Sequence, residues 1–291
     1  MSERSGEALV APRLRRGPAS IPRGVMLALA WLALMLAVAA LADVIRPYPI
    51  TAIDLGARLQ PPFGFGGSAR HLLGTDELGR DVLSRLFVSI RLSLLIAFGA
   101  TTLGVLLGAF LGLAAAHLRG LAEQAILMLV DVQAALPFII LALSILAFFG
   151  NSLPLLTALL GLYGWERHAR VARGLALGAG AQGYTVAVRQ LGAGPWRLYL
   201  LHIVPNIAAT LIVSATITFP EIILLESGLS FLGLGVQPPM SSLGNMVGYG
   251  RGYLSSAPWI VLAPSLVISL TTLAVSMTGD WLRDRLDPTL G

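Results

Sequence analysis

Apolar residues along this chain run in long, nearly uncharged blocks instead of the short alternations of a soluble protein. A block of about 18 or more apolar residues is long enough to cross a bilayer as a helix. The pattern predicts six such spans, at 25–45, 93–116, 123–149, 153–172, 205–226 and 257–279. Between the first two lies a polar stretch rich in Pro and Gly (Pro61, Pro62, Gly64, Gly66, Gly67), then a charged amphipathic segment from Thr75 to Arg91. The predicted layout is a tail over 1–24, a first span over 25–45, and a loop with an interfacial helix over 46–92. A five-helix core over 93–280 follows, interrupted by a Gly- and Arg-bearing loop at 173–203, and a tail closes the chain at 281–291.

Composition agrees with the pattern. Hydrophobic residues make up 56% of the chain and charged residues 12%, against roughly 25% charged in soluble domains. Mean hydropathy is +0.79. The fold class is therefore all-α, polytopic and membrane-embedded. A net charge of +5 would suggest nucleic acid in a soluble protein; in a membrane protein it records the Arg excess that fixes topology. With the N-terminus inside, the inner segments hold thirteen Arg, counting Arg119, Arg167, Arg170, Arg173, Arg189 and Arg197, and the outer segments hold seven. Both termini are expected to be cytoplasmic. Arg4, Arg13, Arg15, Arg16 and Arg23 precede the first apolar run, and Ala39-Ala40-Leu41-Ala42 imitates a cleavage site. That run exceeds the roughly 7–15 residues of a signal-peptide core, so it is expected to stay as an uncleaved first span.

Several chemistries are excluded. The chain contains no Lys, and a Walker A phosphate loop needs one. It contains no Cys, which removes disulfides and thiolate metal sites. Its four His (His71, His117, His168, His202) have no metal-ligand spacing. Gly178 to Gly183 spells G-x-G-x-x-G, but a dinucleotide fingerprint needs a preceding strand and an acid roughly 20 residues on. An intramembrane protease would need a Ser/His or metal constellation, and none stands at convincing spacing. A secondary transporter predicts inverted repeats and helices broken at the midplane; no clear internal symmetry is visible.

Within the spans, Gly104, Gly108 and Gly112 recur every four residues, a spacing that lets helix backbones approach closely in lipid. Ionisable residues inside spans are functional candidates because they are costly in lipid. Asp131 lies six residues before Pro137, a residue that kinks helices; it either lines a path or pairs with another helix. Glu221 and Glu226 lie toward the outer end of span five, and Asp280 and Arg283 at the inner end of span six. Thr75-Asp76-Glu77 reads as a helix N-cap with acids in the first turn.

The loop before span five is the most informative segment. It reads Tyr184-Thr185-Val186-Ala187-Val188-Arg189-Gln190-Leu191-Gly192-Ala193, continues through Pro195, Trp196, Arg197 and Tyr199, and closes with His202-Ile203-Val204-Pro205-Asn206. This predicts a short helix broken at Gly192 and a second short helix leading to Pro205. Such a knob outside the bilayer is either a mobile loop or a docking element for a soluble partner. The segment resembles the coupling motif of ABC importer permeases, Glu-Ala-Ala followed by Gly and ending in His-Ile-Leu-Pro-Asn. Ala187, Gly192, Pro205 and Asn206 match by position, while Val186 stands in place of the Glu and Val188 in place of the second Ala. The resemblance implies that Tyr184, Ala187, Arg189, Gly192, Ala193, Arg197, His202, Pro205 and Asn206 form the ATPase-coupling site.

Three further stretches are similar to the dipeptide/oligopeptide/nickel branch of that family, to its C-type permease in particular. They are His71 to Arg85, Glu226 to Pro239, and Gly279 to Pro288. Relatives carry Arg three residues before Asp131, where this chain has Met128. The resemblance implies a type I ABC importer permease fold and a non-catalytic subunit in the inner membrane. It implies a heterodimer with a homologous permease, two ATPase subunits that bind the ATP and Mg, and an extracytoplasmic substrate-binding protein. It places Asp131, Pro137 and Glu226 on the translocation path or gate, and has the Leu234–Pro239 loop shape the outer gate, receive the binding protein or simply close the chain. No cofactor of the chain's own and no nucleic-acid partner are expected. Di- or oligopeptides are the expected cargo, with nickel or a metal chelate as the alternative.

Overall fold

The structure, a computed structural model, describes residues 21–286. Arg4, Arg13, Arg15 and Arg16 of the N-terminal tail, and the Asp287-Pro288 end of the last motif, lie outside the described residues. Among the described residues the regular structure is helical, with two isolated β-bridges and no strand. In order, the helices are α1 (Arg23–Ile45), α2 (Val82–Leu118), α3 (Gly120–Ala135), α4 (Phe138–Phe149), α5 (Leu153–Gly161), α6 (Trp165–Gly180), α7 (Gly183–Gln190), α8 (Pro195–Leu198), α9 (Val204–Phe231), α10 (Leu243–Gly250) and α11 (Trp259–Leu286).

Among the described residues, α1, α2, the continuous helical run Pro195–Phe231 and α11 are long and apolar enough to cross a membrane. A fifth span is available if α3 and α4 count as one, but they meet at an angle of 86° across Leu136 and Pro137. Proline lacks the N–H and its ring disfavours helical backbone in the residue before it, and Leu136 is accordingly extended. The predicted fourth span over 153–172 is two helices: α5 has nine residues, α6 has sixteen, and the chain breaks at Leu162–Gly164. A count of six straight spans is thus only approximate for this fold.

The predicted interfacial helix from Thr75 is corrected. Thr75–Asp81 is a folded loop, and α2 begins at Val82, so the charged segment over 82–91 is the first part of one 37-residue helix. At 1.5 Å per residue it is about 55 Å long, well beyond a hydrocarbon core of roughly 30 Å. The cap of α2 is Asp81, whose Oδ2 accepts from the Ser84 backbone N–H and from Ser84 Oγ, both at 2.7 Å. His71 Nδ1 lies 3.0 Å from the other carboxylate oxygen. Asp76 is fully buried and acts as a knot, accepting from the Leu78 and Arg80 backbone N–H groups (2.9 Å each), from Arg80 Nε (2.7 Å) and from Arg85. Trp259 at the start of α11 donates to the Thr75 carbonyl at 3.1 Å. A buried charge needs its partners and hydrogen bonds in place, and here the loop closes around them.

One large core joins α1, α2, α4, α5, α9 and α11 through residues such as Met35, Leu86, Ile96, Leu146, Leu160, Ile222 and Ile268. A second, alanine-rich core (Ala116, Ala172, Ala176, Ala179, Leu198, Ile203, Ile207) ties the end of α2 to α6, α8 and α9. The glycine stripe explains how α2 and α6 approach. A Cβ on Gly108 would lie 2.4 Å from the Trp165 carbonyl oxygen, and one on Gly112 2.3 Å from that of Ala169. This contact also fixes the level of α6 in the bundle: Trp165–Ala169 lies beside the charge-free 93–116 stretch of α2. Arg167 and Arg170 belong to that level, not to a loop, and Arg173 follows one turn further along the same helix.

Candidate functional site

At the end of the bundle where α2 and α6 stop, α7 and α8 project as a knob. Thr185 anchors it: the side chain is buried and its Oγ1 donates to the Ala179 carbonyl at 2.7 Å. Asn206 Nδ2 donates to the Tyr184 hydroxyl at 3.0 Å, tying α7 to the start of α9. Helix α7 ends in a Schellman arrangement. Gly192 has φ +83°, the Ala193 N–H donates to the Val188 carbonyl at 3.3 Å, and the Gly192 N–H to that of Arg189 at 3.0 Å. Side chains other than Gly and Asn fit that left-handed backbone poorly, which is the physical reason for glycine here.

The second short helix does not end before Pro205. Helix α8 continues into α9 through a widened turn at Tyr199–Ile203, in which the Val204 N–H reaches the Tyr199 carbonyl. A π-turn of this kind loosens the helix where Pro205 could neither donate nor tolerate the tight i−4 contact. Arg189 and Ala193 line a cavity of about 430 Å³ between the knob and the ends of α2 and α6, with His117, Arg119 and Tyr199 opposite. Tyr184, Ala187, Arg197, Pro205 and Asn206 are exposed and His202 is half-buried. The tip is apolar: Leu191 is 87% exposed and Trp196 77%, and Val186 is exposed beside them. The structure therefore gathers the predicted coupling residues on one knob. Thr185 was missed because a buried Thr looks like any other polar loop residue until its carbonyl partner is seen.

The predicted path residues fall in two places. Asp131 on α3 pairs with Arg170 on α6 at 2.9 Å, so its partner comes from another helix in place of the one absent at Met128. Two like pairs flank it: Arg167 Nη1 lies 3.2 Å from Glu221 of α9, and Arg173 donates through Nε at 2.7 Å to Glu123 of α3. Pro137 is the exposed corner between α3 and α4. Glu226 is apart from these, buried on α9. Ser230 Oγ donates to its Oε1 at 2.7 Å, and Ser242, the cap of α10, lies 3.3 Å from Ser230 Oγ. Asn245 of α10 in turn holds the Val236 carbonyl. Glu226 is thus the root of the 232–242 loop. His168 sits beneath the ion pairs with Ser214 Oγ and Thr218 Oγ1 against its two ring nitrogens, at 2.9 and 3.2 Å.

The structure is thus a bundle of membrane-length helices with an apolar-tipped knob at one end and an exposed row of ion pairs along α6. Residues 104–291 match the family described as "binding-protein-dependent transport system inner membrane component". The chain is 39% identical over 269 residues to the di/tripeptide transport system permease protein DppC of Pseudomonas aeruginosa (strain UCBPP-PA14), covering 92% of this chain and 89% of that one. It is 40% identical over 269 residues to the dipeptide transport system permease protein DppC of Escherichia coli (strain K12), covering 92% and 90%. Among solved structures it is similar to an inward-facing form of the MetNI methionine ABC transporter, at a TM-score of 0.57 and 19% identity over 70% of this chain and 97% of that one. The chain belongs to the binding-protein-dependent transport permeases: it is a multi-pass inner-membrane subunit of an ABC importer with that family's fold, and membership implies ATPase and substrate-binding partners in general.

Proposed function

We propose that this chain is the permease for di- and oligopeptides in its importer, forming half of the translocation pathway beside a homologous permease. The observation that carries the cargo is the identity of 39–40%, over nine-tenths of the chain, to permeases named for di- and tripeptide transport. The chain performs no bond chemistry. Two ATPase subunits bind ATP and Mg and dock on the α7–α8 knob, which faces the cytoplasm together with both termini. Leu191, Trp196 and Val186 make that contact more apolar than the family's motif with Glu at position 186. A substrate-binding protein delivers cargo at the opposite end, where the Asp76 knot and the 232–242 loop meet.

When the ATPases close, the knob moves as one piece because Thr185 and Tyr184 fix it to α6 and α9. That motion enters the bundle through two helices at once. The loop rooted at Glu226 then moves with α9 at the far end. Reconstitution of the complete complex with its binding protein tests the reading. Uptake of a labelled dipeptide should require ATP and the binding protein; uptake of nickel but not dipeptide would overturn the cargo.

A further inference from the structure

The ion pairs on α6 are not used by the coupling reading. Arg167, Arg170 and Arg173 face outward at a spacing of three residues, each holding an acid from α9 or α3. The same exposed stripe continues as Gly174 and Gly178, where an added Cβ would meet nothing within 4 Å. The pairs begin beside the charge-free stretch of α2, because the opposite face of α6 seats Gly108 and Gly112. A charge turned to lipid at the centre of a span costs about 3 kcal/mol. Asp131 and Arg170 are 73% and 48% exposed. Such groups on one face call for water beside them, not acyl chains.

Resting on the peptide reading above, we propose that this face lines the aqueous path and that its ion pairs are exchange sites for the charged ends of a passing peptide. A guanidinium that releases its acid takes the peptide carboxylate in the same forked geometry, while the freed acid takes the α-ammonium. Neither charge is left bare, which is what makes breaking a lone ion pair so costly. Below the arginines, the two glycines leave the wall smooth where a peptide side chain must pass.

The absence of Cys from the chain allows a direct test. Gly174→Cys is introduced and the complete transport complex is treated with anionic and cationic methanethiosulfonates. Both reagents should react. In an Asp131→Asn background the anionic-to-cationic rate ratio should rise about tenfold, and in an Arg170→Gln background fall about tenfold, the effect of one uncompensated charge roughly a helix turn away. Asp131→Glu and Arg170→Lys keep the charge and should leave the ratio unchanged, which separates an effect of charge from an effect of altered packing. If Gly174→Cys prevents assembly, Gly178→Cys serves with the same expectations. Reaction with a membrane-permeant maleimide but with neither charged reagent would overturn the proposal, as would a ratio unmoved in both backgrounds. Dipeptide uptake by the unsubstituted complex is read separately. Labelling as expected without such uptake would keep the aqueous lining and overturn the peptide as its occupant.

Discussion

Replacing Gly192 with valine is the sharpest perturbation of the α7–α8 knob proposed to receive the ATPase. The backbone there has φ +83°, and a Cβ would meet nothing within 4 Å, so the penalty is conformational and not a clash. A β-branched residue in the left-handed region costs on the order of 1–3 kcal/mol. If the turn unwinds to escape that strain, it gives up the two closing hydrogen bonds from Ala193 and Gly192, each worth about 1 kcal/mol. A net loss of about 2 kcal/mol lowers the ratio of docking-competent to distorted knob roughly 30-fold. The core packing of the bundle is untouched, because Gly192 lies beyond it. ATP-driven uptake by the reconstituted complex should therefore fall at least about tenfold, with membrane insertion and basal ATPase activity retained. Gly192→Asn should keep most of the activity, since asparagine tolerates this backbone. Wild-type uptake by Gly192→Val would refute the reasoning, and so would an equal loss in the asparagine variant.

Gly112→Val should force α2 and α6 apart, since even a Cβ would stand 2.3 Å from the Ala169 carbonyl oxygen; the protein should fail to accumulate in membranes, whereas Gly99→Ala, with its nearest neighbour at 3.5 Å, should accumulate normally. Asp81→Ala removes the cap of α2 and the partner of His71 and should cost about 1–2 kcal/mol, read as a lower melting temperature of the detergent-solubilised subunit, with Asp81→Asn recovering much of the loss. Thr185→Val removes the side-chain donor to the Ala179 carbonyl, which keeps only the Gln182 N–H, and should loosen the knob by about 1 kcal/mol, seen as faster amide exchange over 183–190 with the spans unchanged. Leu191→Ala and Trp196→Ala remove exposed apolar side chains and should weaken co-purification of the ATPase without shifting the melting temperature.

The apolar blocks made the long helices legible, because a span is a local property of composition. What composition does not carry is the break. The 86° corner at Pro137 needs the direction of α4, which is set by its packing against α5 and α9. The segment over 75–91 misled for a similar reason. Its charges read as an interfacial face, whereas Asp76 gathers Arg80 and Arg85 into a buried knot, and Arg85 reaches Ser241, 156 residues away. Arg167, Arg170 and Arg173 were counted toward topology as loop charges; on α6 they are partnered by Glu221, Asp131 and Glu123, which leaves ten inner arginines against seven outer ones. The shape of the α7–α8 knob was the most readable part, since its glycine, its helix length and its proline are all local signals. Its anchors were not, because Thr185 to Ala179 and Tyr184 to Asn206 are tertiary contacts.

The central claim is that energy enters this chain through the α7–α8 knob. A photoreactive amino acid placed at Leu191, the most exposed apolar position on the knob, tests it in the intact complex. The account predicts crosslinking to the ATPase subunit, at a yield that changes when ATP is bound. No crosslink from Leu191 or Trp196, in a complex that still performs ATP-driven uptake, would contradict it.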